Sequence, residues 1–192
     1  DYTIDVSAAS LISSTLNSGT NVTVTTTAID SSQGATGEGS GDITVAASIT
    51  KNSGATSSLI LEADNDISIN QSVSSTGDDG LNFKAKAAGK IIVNEDIQIS
   101  TNGGDIVFWS NSGNVESGSG DHSIRLNSGS KLTSLGGQIV LAGGTDSNSD
   151  GYPDAAYGRP SGHQNSRGKT PGHAPPNCRA NGTCPEGARG RV

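Results

Sequence analysis

Apolar residues recur along this chain in a phrase that repeats every 24 positions. Asp42-Ile43-Thr44-Val45 with Ile49, Asp66-Ile67-Ser68-Ile69 with Val73, and Lys90-Ile91-Ile92-Val93 with Ile97 read as successive copies. Between them stand apolar pairs at i and i+2: Leu59/Leu61, Leu81/Phe83, Ile106/Phe108 and Ile139/Leu141. Alternation with period 2 predicts strands that bury one face, and a fixed long period predicts one unit stacked on the next. A single unit has too little apolar surface to fold alone, so each buries its face against its neighbours. The expected fold is all-β, a parallel β-solenoid over residues 1–144.

Stacking at about 4.8 Å per coil gives roughly six coils and a rod about 30 Å long. Both ends of such a rod expose unpaired strand edges. Asp1-Tyr2-Thr3-Ile4-Asp5-Val6 alternates like a strand, and no amphipathic helix is read ahead of Tyr2 to cover the first edge. End-to-end stacking follows as an expectation, with neighbouring sections of one long chain or with other copies. The chain reads as a section of something longer, with neither initiating Met nor signal sequence ahead of that strand.

Four sections emerge. Residues 1–40 are the least regular, with a strand at Asn21–Thr27 and a Gly/Ser-rich loop from Ser31 to Gly41. Residues 41–110 carry the regular repeats, with turns at Asn52-Ser53-Gly54, Gly77-Asp78-Asp79-Gly80, Ala88-Gly89 and Asn102-Gly103-Gly104. From about 111 to 144 the repeat loosens through Ile124/Leu126 to Ile139/Leu141. The step from Ile106 to Ile139 implies about nine inserted residues near Asn111–Asp121. From Thr145 the pattern ends, with a distinct loop over 145–158 and an irregular or disordered basic tail over 159–192.

Composition fits a narrow core: aromatic residues make up 3% and Met is absent. The charge is uneven. Residues before Ala156 hold 18 acidic and 6 basic side chains, and those from Tyr157 hold 1 and 6, which together give the net −7. An acidic, Ser/Thr-rich body has no electrostatic reason to bind nucleic acid or an anionic membrane. No stretch approaches the length of a membrane helix, so no membrane insertion is expected.

Several phrases resemble the repeats of filamentous-haemagglutinin-like bacterial adhesins. They are Tyr2-Thr3-Ile4-Asp5, Ser18-Gly19-Thr20-Asn21-Val22-Thr23-Val24-Thr25-Thr26, Gly41-Asp42-Ile43-Thr44-Val45, Leu59-Ile60-Leu61-Glu62-Ala63, Asp66-Ile67-Ser68-Ile69-Asn70 and Thr101-Asn102-Gly103-Gly104-Asp105-Ile106. The resemblance covers about residues 1–155. It implies a right-handed parallel β-helix within a large exoprotein, secreted and held at the bacterial cell surface. The tail from Arg159 does not share it. The role expected from the repeats and the resemblance together is a stiff fibre section of an adhesin, with polar loops presented for cell or glycan contact. The loop from Asn111 to His122, with Asn114 inside it and Trp109 beside it, is the expected contact surface.

Two other functions compete. Parallel β-helices also host polysaccharide-degrading enzymes, whose sites gather carboxylates on one face. Asp42, Asp66 and Lys90 share one position in successive repeats, but the plainer reading pairs Lys90 with Asp66 and leaves Asp42 solvated. The expectation is therefore not an enzyme. Ice binding needs a Thr-x-Thr ladder, which Thr23-Val24-Thr25 begins and Thr44-Val45-Ala46 does not continue. His163 and His173 in the tail, like His122, lack a metal-ligand spacing. Cys178 and Cys184 enclose five residues and suit either a small-loop disulfide or two free thiols.

The sharpest local signal is Asp146-Ser147-Asn148-Ser149-Asp150-Gly151-Tyr152-Pro153-Asp154. Oxygen ligands at positions 1, 3 and 5, Gly at 6, the Tyr152 carbonyl at 7 and Asp154 at 9 suit calcium. The loop resembles those of dockerins and thrombospondin type 3 repeats. Tyr157 stands at position 12 in place of the bidentate Glu of an EF-hand, so a weak site is expected.

Overall fold

The computed structural model describes residues 1–26, 40–77, 79–113, 121–147 and 149–153. The order of elements is β1 (Tyr2–Ile4), α1 (Val6–Asn17), β2 (Val22–Thr25), β3 (Ile43–Val45), β4 (Ile49–Lys51), β5 (Ser57–Ala63), β6 (Ile67–Ile69), β7 (Val73–Ser75), β8 (Leu81–Ala87), β9 (Ile91–Val93), β10 (Gln98–Ser100), β11 (Ile106–Ser110), β12 (Ile124–Leu126), β13 (Lys131–Thr133) and β14 (Ile139–Gly143). They form three parallel sheets, which are not closed. The orders are β1-β3-β6-β9-β12, then β4-β7-β10-β13, then β2-β5-β8-β11-β14. Each stretch of chain therefore adds one element to each sheet in turn, and the described residues make five layers.

The 24-residue phrase is the register of the first sheet. Ile43 stands beside Ile67 and Ile67 beside Ile91, and Val45, Ile69 and Val93 align in the same way. Their side chains are fully buried, and Leu59, Phe83, Ile99, Ile106 and Phe108 from the other sheets join them in one core. In that core the Phe83 and Phe108 rings meet edge to face, 6.0 Å apart. Beyond Ser110 the step becomes 33, with Ile91 beside Ile124, Ile99 beside Leu132 and Ile106 beside Ile139. The whole insertion thus falls between β11 and β12.

Two expected alignments shift. The partner of Val73 is Ile99, not Ile97, because the path from Val93 to Ile99 is two residues longer than that from Ile69 to Val73. An even insertion keeps the inward alternation, so the sequence pattern tolerates either choice. Asp96 takes φ 59° on that path and lies against Gly129, φ 73°, in the next layer. In the third sheet Leu59 and Leu61 align with Phe83 and Ala85, which leaves Leu81 beside Ser57.

The larger correction is α1, where a strand ending at Val6 and an irregular segment had been expected. Asp5 caps the helix, its carboxylate accepting the Ala8 N–H at 2.9 Å. Ala9, Ile12 and Leu16, at helical spacing, are the buried face. Gly19, φ 78°, ends the helix in the left-handed conformation that glycine adopts without cost. The first edge of the second sheet is therefore covered, contrary to the expectation of two bare ends. Ser13 Oγ accepts the Thr50 N–H at 3.0 Å, and Asn17 Oδ1 accepts those of Asn52 and Ser53 at 2.8 and 3.2 Å. A helix side replaces a strand edge, and its polar side chains supply acceptors a strand backbone would have given.

Candidate functional site

Polar ladders run along the layers at the strand starts. Asp1 Oδ1 accepts the N–H groups of Gly41 and Asp42, Asp42 Oδ1 that of Asp66, and Asp66 Oδ1 that of Lys90, all at 2.9–3.0 Å. In the third sheet Asn21, Asn82 and Asp105 do the same for Ser58, Asp105 and Gln138. Asp42 is thus not left to solvent. Burial alone would raise its carboxyl, but bonds from Ser40, the Asp66 N–H and Asn65 hold it below the ordinary carboxylate range. The Lys90 ammonium lies 2.8 Å from Asp66, and this pair raises the Lys90 pKa. Each carboxylate that an enzyme reading would recruit is engaged in holding the next layer.

A buried lysine had no signal as a site in the sequence. Lys51 is fully buried at the end of β4, donating to the carbonyls of Ser53 and Gly54 at 2.9 Å and of Asp79 at 3.4 Å. The same corner is held by Ser75 on the Asp79 carbonyl, Thr101 on that of Gly104 and Ser134 on that of Gly137. An inward polar residue closes this turn in successive layers, and Lys51 does so with a charge.

The segment after β14 folds back across the outer face of the third sheet. Trp109 Nε1 donates to the Gly144 carbonyl at 2.6 Å, and Lys84 Nζ to that of Gly151 at 2.6 Å. The Tyr152 hydroxyl lies 3.4 Å from Asp105 Oδ2. Under this segment is a cleft of about 320 Å³ whose lining includes Ser58, Asn82, Lys84, Asp105, Asp150 and Tyr152. The ammonium groups of Lys84 and Lys86 stand 5.1 and 5.0 Å from the centre of the Trp109 ring. Burial, and then the charge of Lys86, lower the Lys84 pKa, while Glu62, Asp146 and Asp150 act against them.

The expected contact residues are arranged around the insertion. Trp109 is 5% exposed, so stacking a sugar on its ring requires the two lysines or the Gly144 segment to move. Asn111 is buried at φ 52°, its N–H donating to the Gly89 carbonyl at 3.1 Å. The Ser112 N–H reaches the Ala87 carbonyl at 3.0 Å, and His122 Nδ1 lies 3.2 Å from that of Ala88. Both ends of the insertion are therefore pinned to the turn at 87–89. Asn114 lies outside the described residues, as do Cys178 and Cys184.

In the expected calcium loop, Asp146 accepts the N–H groups of Asp150 and Gly151 at 3.1 and 2.8 Å, and Asp150 accepts that of Tyr152 at 2.9 Å. Gly151 takes φ 84°, the sharp turn the spacing asks of position 6. The carboxylates of Asp146 and Asp150 are oxygen ligands of the type a hard cation takes. Asn148 and Asp154 lie outside the described residues, and the described ones alone bring together no group of three metal-binding side chains. Lys84 already places a positive charge at this loop.

The ice-binding alternative gains no ladder: Thr23 and Thr25 stand beside Ile60 and Glu62, followed by Lys84 and Lys86. Among the described residues no helix is long and apolar enough to cross a membrane. No family model matches the chain, and neither a curated protein nor a solved structure shows significant similarity to it.

Proposed function

We propose that this chain is a section of a right-handed parallel β-helix in a large secreted bacterial surface protein, where it serves as a stiff rod and carries loops for cell or glycan contact. The observation that supports it is the unbroken register Ile43–Ile67–Ile91–Ile124, in which each layer is completed only by the next. A stack of this kind lengthens by repetition and resists local opening, because its strands are bonded on both sides. The ladders of Asp42, Asp66 and Asp105 spend their carboxylates on backbone N–H groups, which favours a structural role over catalysis.

The test is electron microscopy of the native material, labelled with antibody raised against residues 40–144. Labelled fibres many times longer than this chain are expected on cells, and labelled compact particles would overturn the reading. A panel of polysaccharides assayed for new reducing or unsaturated ends tests the enzyme alternative.

A second reading rests on Gly151 and Asp146. The loop Asp146–Asp154 takes a calcium ion weakly and fixes the segment that crosses the third sheet, with Asp146, Asn148, Asp150, Asp154 and the Tyr152 carbonyl as ligands.

A further inference from the structure

We infer that the cleft between the outer face of the third sheet and the segment after β14 holds a short neutral saccharide, lying along the stack of layers. This rests on the reading of the chain as a glycan-contacting surface section, and it moves that contact from the insertion to the sheet.

Strand alternation sets two columns on this face. Ser58 stands beside Asn82, and the Asn82 side-chain oxygen takes the Asp105 N–H one layer on, so a hydroxyl, an amide and a carboxylate follow one another. Two residues further along each strand, Ile60, Lys84 and Val107 are successive partners in register. The first column is polar. The second is apolar but for the Lys84 ammonium, which reaches away to the Gly151 carbonyl at 2.6 Å and leaves its stem on the sheet. Two strand spacings, about 10 Å, span each column. A sugar ring carries hydroxyls around its edge and C–H groups on its faces, so it matches a polar column beside an apolar one. Two rings joined end to end match the length.

Tyr152 forms the opposite wall, and the enclosed volume of about 320 Å³ is at the small end of ligand sites, which span about 300–1,000 Å³. The Tyr152 hydroxyl stands 3.4 Å from Asp105 Oδ2, beyond the reach of about 3.0 Å usual for an O–H···O bond. Asp105 Oδ1 is taken by the Gln138 N–H at 2.7 Å, which fixes the carboxylate with its other oxygen toward Tyr152. A ligand hydroxyl that donates to Asp105 and accepts from Tyr152 closes this gap. Asn82, oriented by its bond to Asp105, offers amide N–H donors beside it.

Charge selects a neutral sugar. Around the cleft, among the described residues, Lys84 and Lys86 stand against Glu62, Asp105, Asp146 and Asp150. A calcium ion on Asp146 and Asp150 brings that balance only to zero. Such a lining gives carboxylated or sulfated sugars no attraction.

The experiment is a glycan array of neutral, sialylated and uronic-acid oligosaccharides, probed with the full chain at millimolar calcium. Calorimetry on the strongest neutral disaccharide follows. Asp105→Asn keeps an oxygen for the Gln138 N–H and removes the carboxylate. Tyr152→Ala removes the wall, and Tyr152→Phe the hydroxyl alone. Ser74→Ala, on the second sheet, is the control, and circular dichroism checks each fold. Neutral glycans are expected to bind. Asp105→Asn and Tyr152→Ala are expected to weaken them about tenfold and Tyr152→Phe about threefold, with Ser74→Ala unchanged. Binding confined to acidic glycans, or neutral binding that Asp105→Asn and Tyr152→Ala leave intact, would overturn the cleft while glycan contact elsewhere on the chain stands. An array without neutral or acidic binders would overturn the cleft and the glycan contact together, and labelled fibres on cells would still uphold the rod.

Discussion

Asp66 holds Lys90 twice: one carboxylate oxygen accepts its backbone N–H at 2.9 Å, and the other takes its ammonium at 2.8 Å. The two residues are one layer apart and occupy the same position in the repeat. A single side chain thus secures both the backbone and the charge of its successor. Lys90 also replaces the Asp that would otherwise set a third carboxylate in line with Asp42 and Asp66.

The two contacts separate by substitution. Asp66→Asn keeps an oxygen for the Lys90 N–H and loses the ion pair, whose partly exposed geometry limits its worth to ~0.5 kcal/mol. Asp66→Ala loses both and is expected to cost about 1–3 kcal/mol. Urea unfolding midpoints should rank wild type, then Asn, then Ala, and equal midpoints for the two variants would show the backbone bond to be worth nothing.

Acid should loosen the same ladder at Asp42. Its folded-state pKa lies below the unfolded value, so its contribution is present above the unfolded pKa of about 3.9 and is lost as pH falls through the folded one. Asp42→Asn should flatten the stability profile below about pH 4. Lys90 has the opposite sign. Its raised pKa gives stability that is complete below the ordinary lysine value and lost as pH rises through the folded one, so Lys90→Met should flatten the alkaline limb. Chemical denaturation across pH checks both limbs.

Lys51 should prove far more sensitive than any surface lysine. Lys51→Met keeps the stem but leaves the carbonyls of Ser53 and Gly54 without their donor inside the fold, at a cost of about 2–4 kcal/mol. The same change at exposed Lys131 should stay within about 0.5 kcal/mol. Thermal unfolding of the two variants gives the comparison.

Calcium and Lys84 should compete for the loop after β14. Calorimetry at millimolar calcium is expected to show heat that Asp150→Ala abolishes and Lys84→Met increases. Heat absent from wild type, or unchanged in Asp150→Ala, would mark Asp146–Asp154 as a turn clamped by Lys84 alone.

The inward half of the strands was open to reading because burial on one face forces strict alternation, and Ile43, Ile67 and Ile91 repeat it without drift. What stayed hidden has physical causes. In α1 the buried stripe is only Ala9, Ile12 and Leu16 among serines, too narrow and too poor in strong helix formers to stand out from a turn. The choice of Ile99 over Ile97 depends on turn length, which a period-2 pattern does not record. At the site, Lys84 meets Gly151, and Tyr152 meets Asp105, only because the chain doubles back over the third sheet. Lys51 is spelled like a surface residue, and only the carbonyls around its ammonium explain its burial.

Residues far apart in sequence stand in line along one sheet. Thr3, Thr44, Ser68, Ile92 and Arg125 are successive partners in register. Four strand spacings place the Cα atoms of Thr3 and Arg125 about 19 Å apart. Pulsed electron paramagnetic resonance on nitroxides at these positions, with Cys178 and Cys184 replaced by Ser, measures that separation directly. A single narrow distribution near it, broadened only by the label arms, is predicted. A broad distribution, or one centred beyond about twice that distance, would contradict the parallel stack.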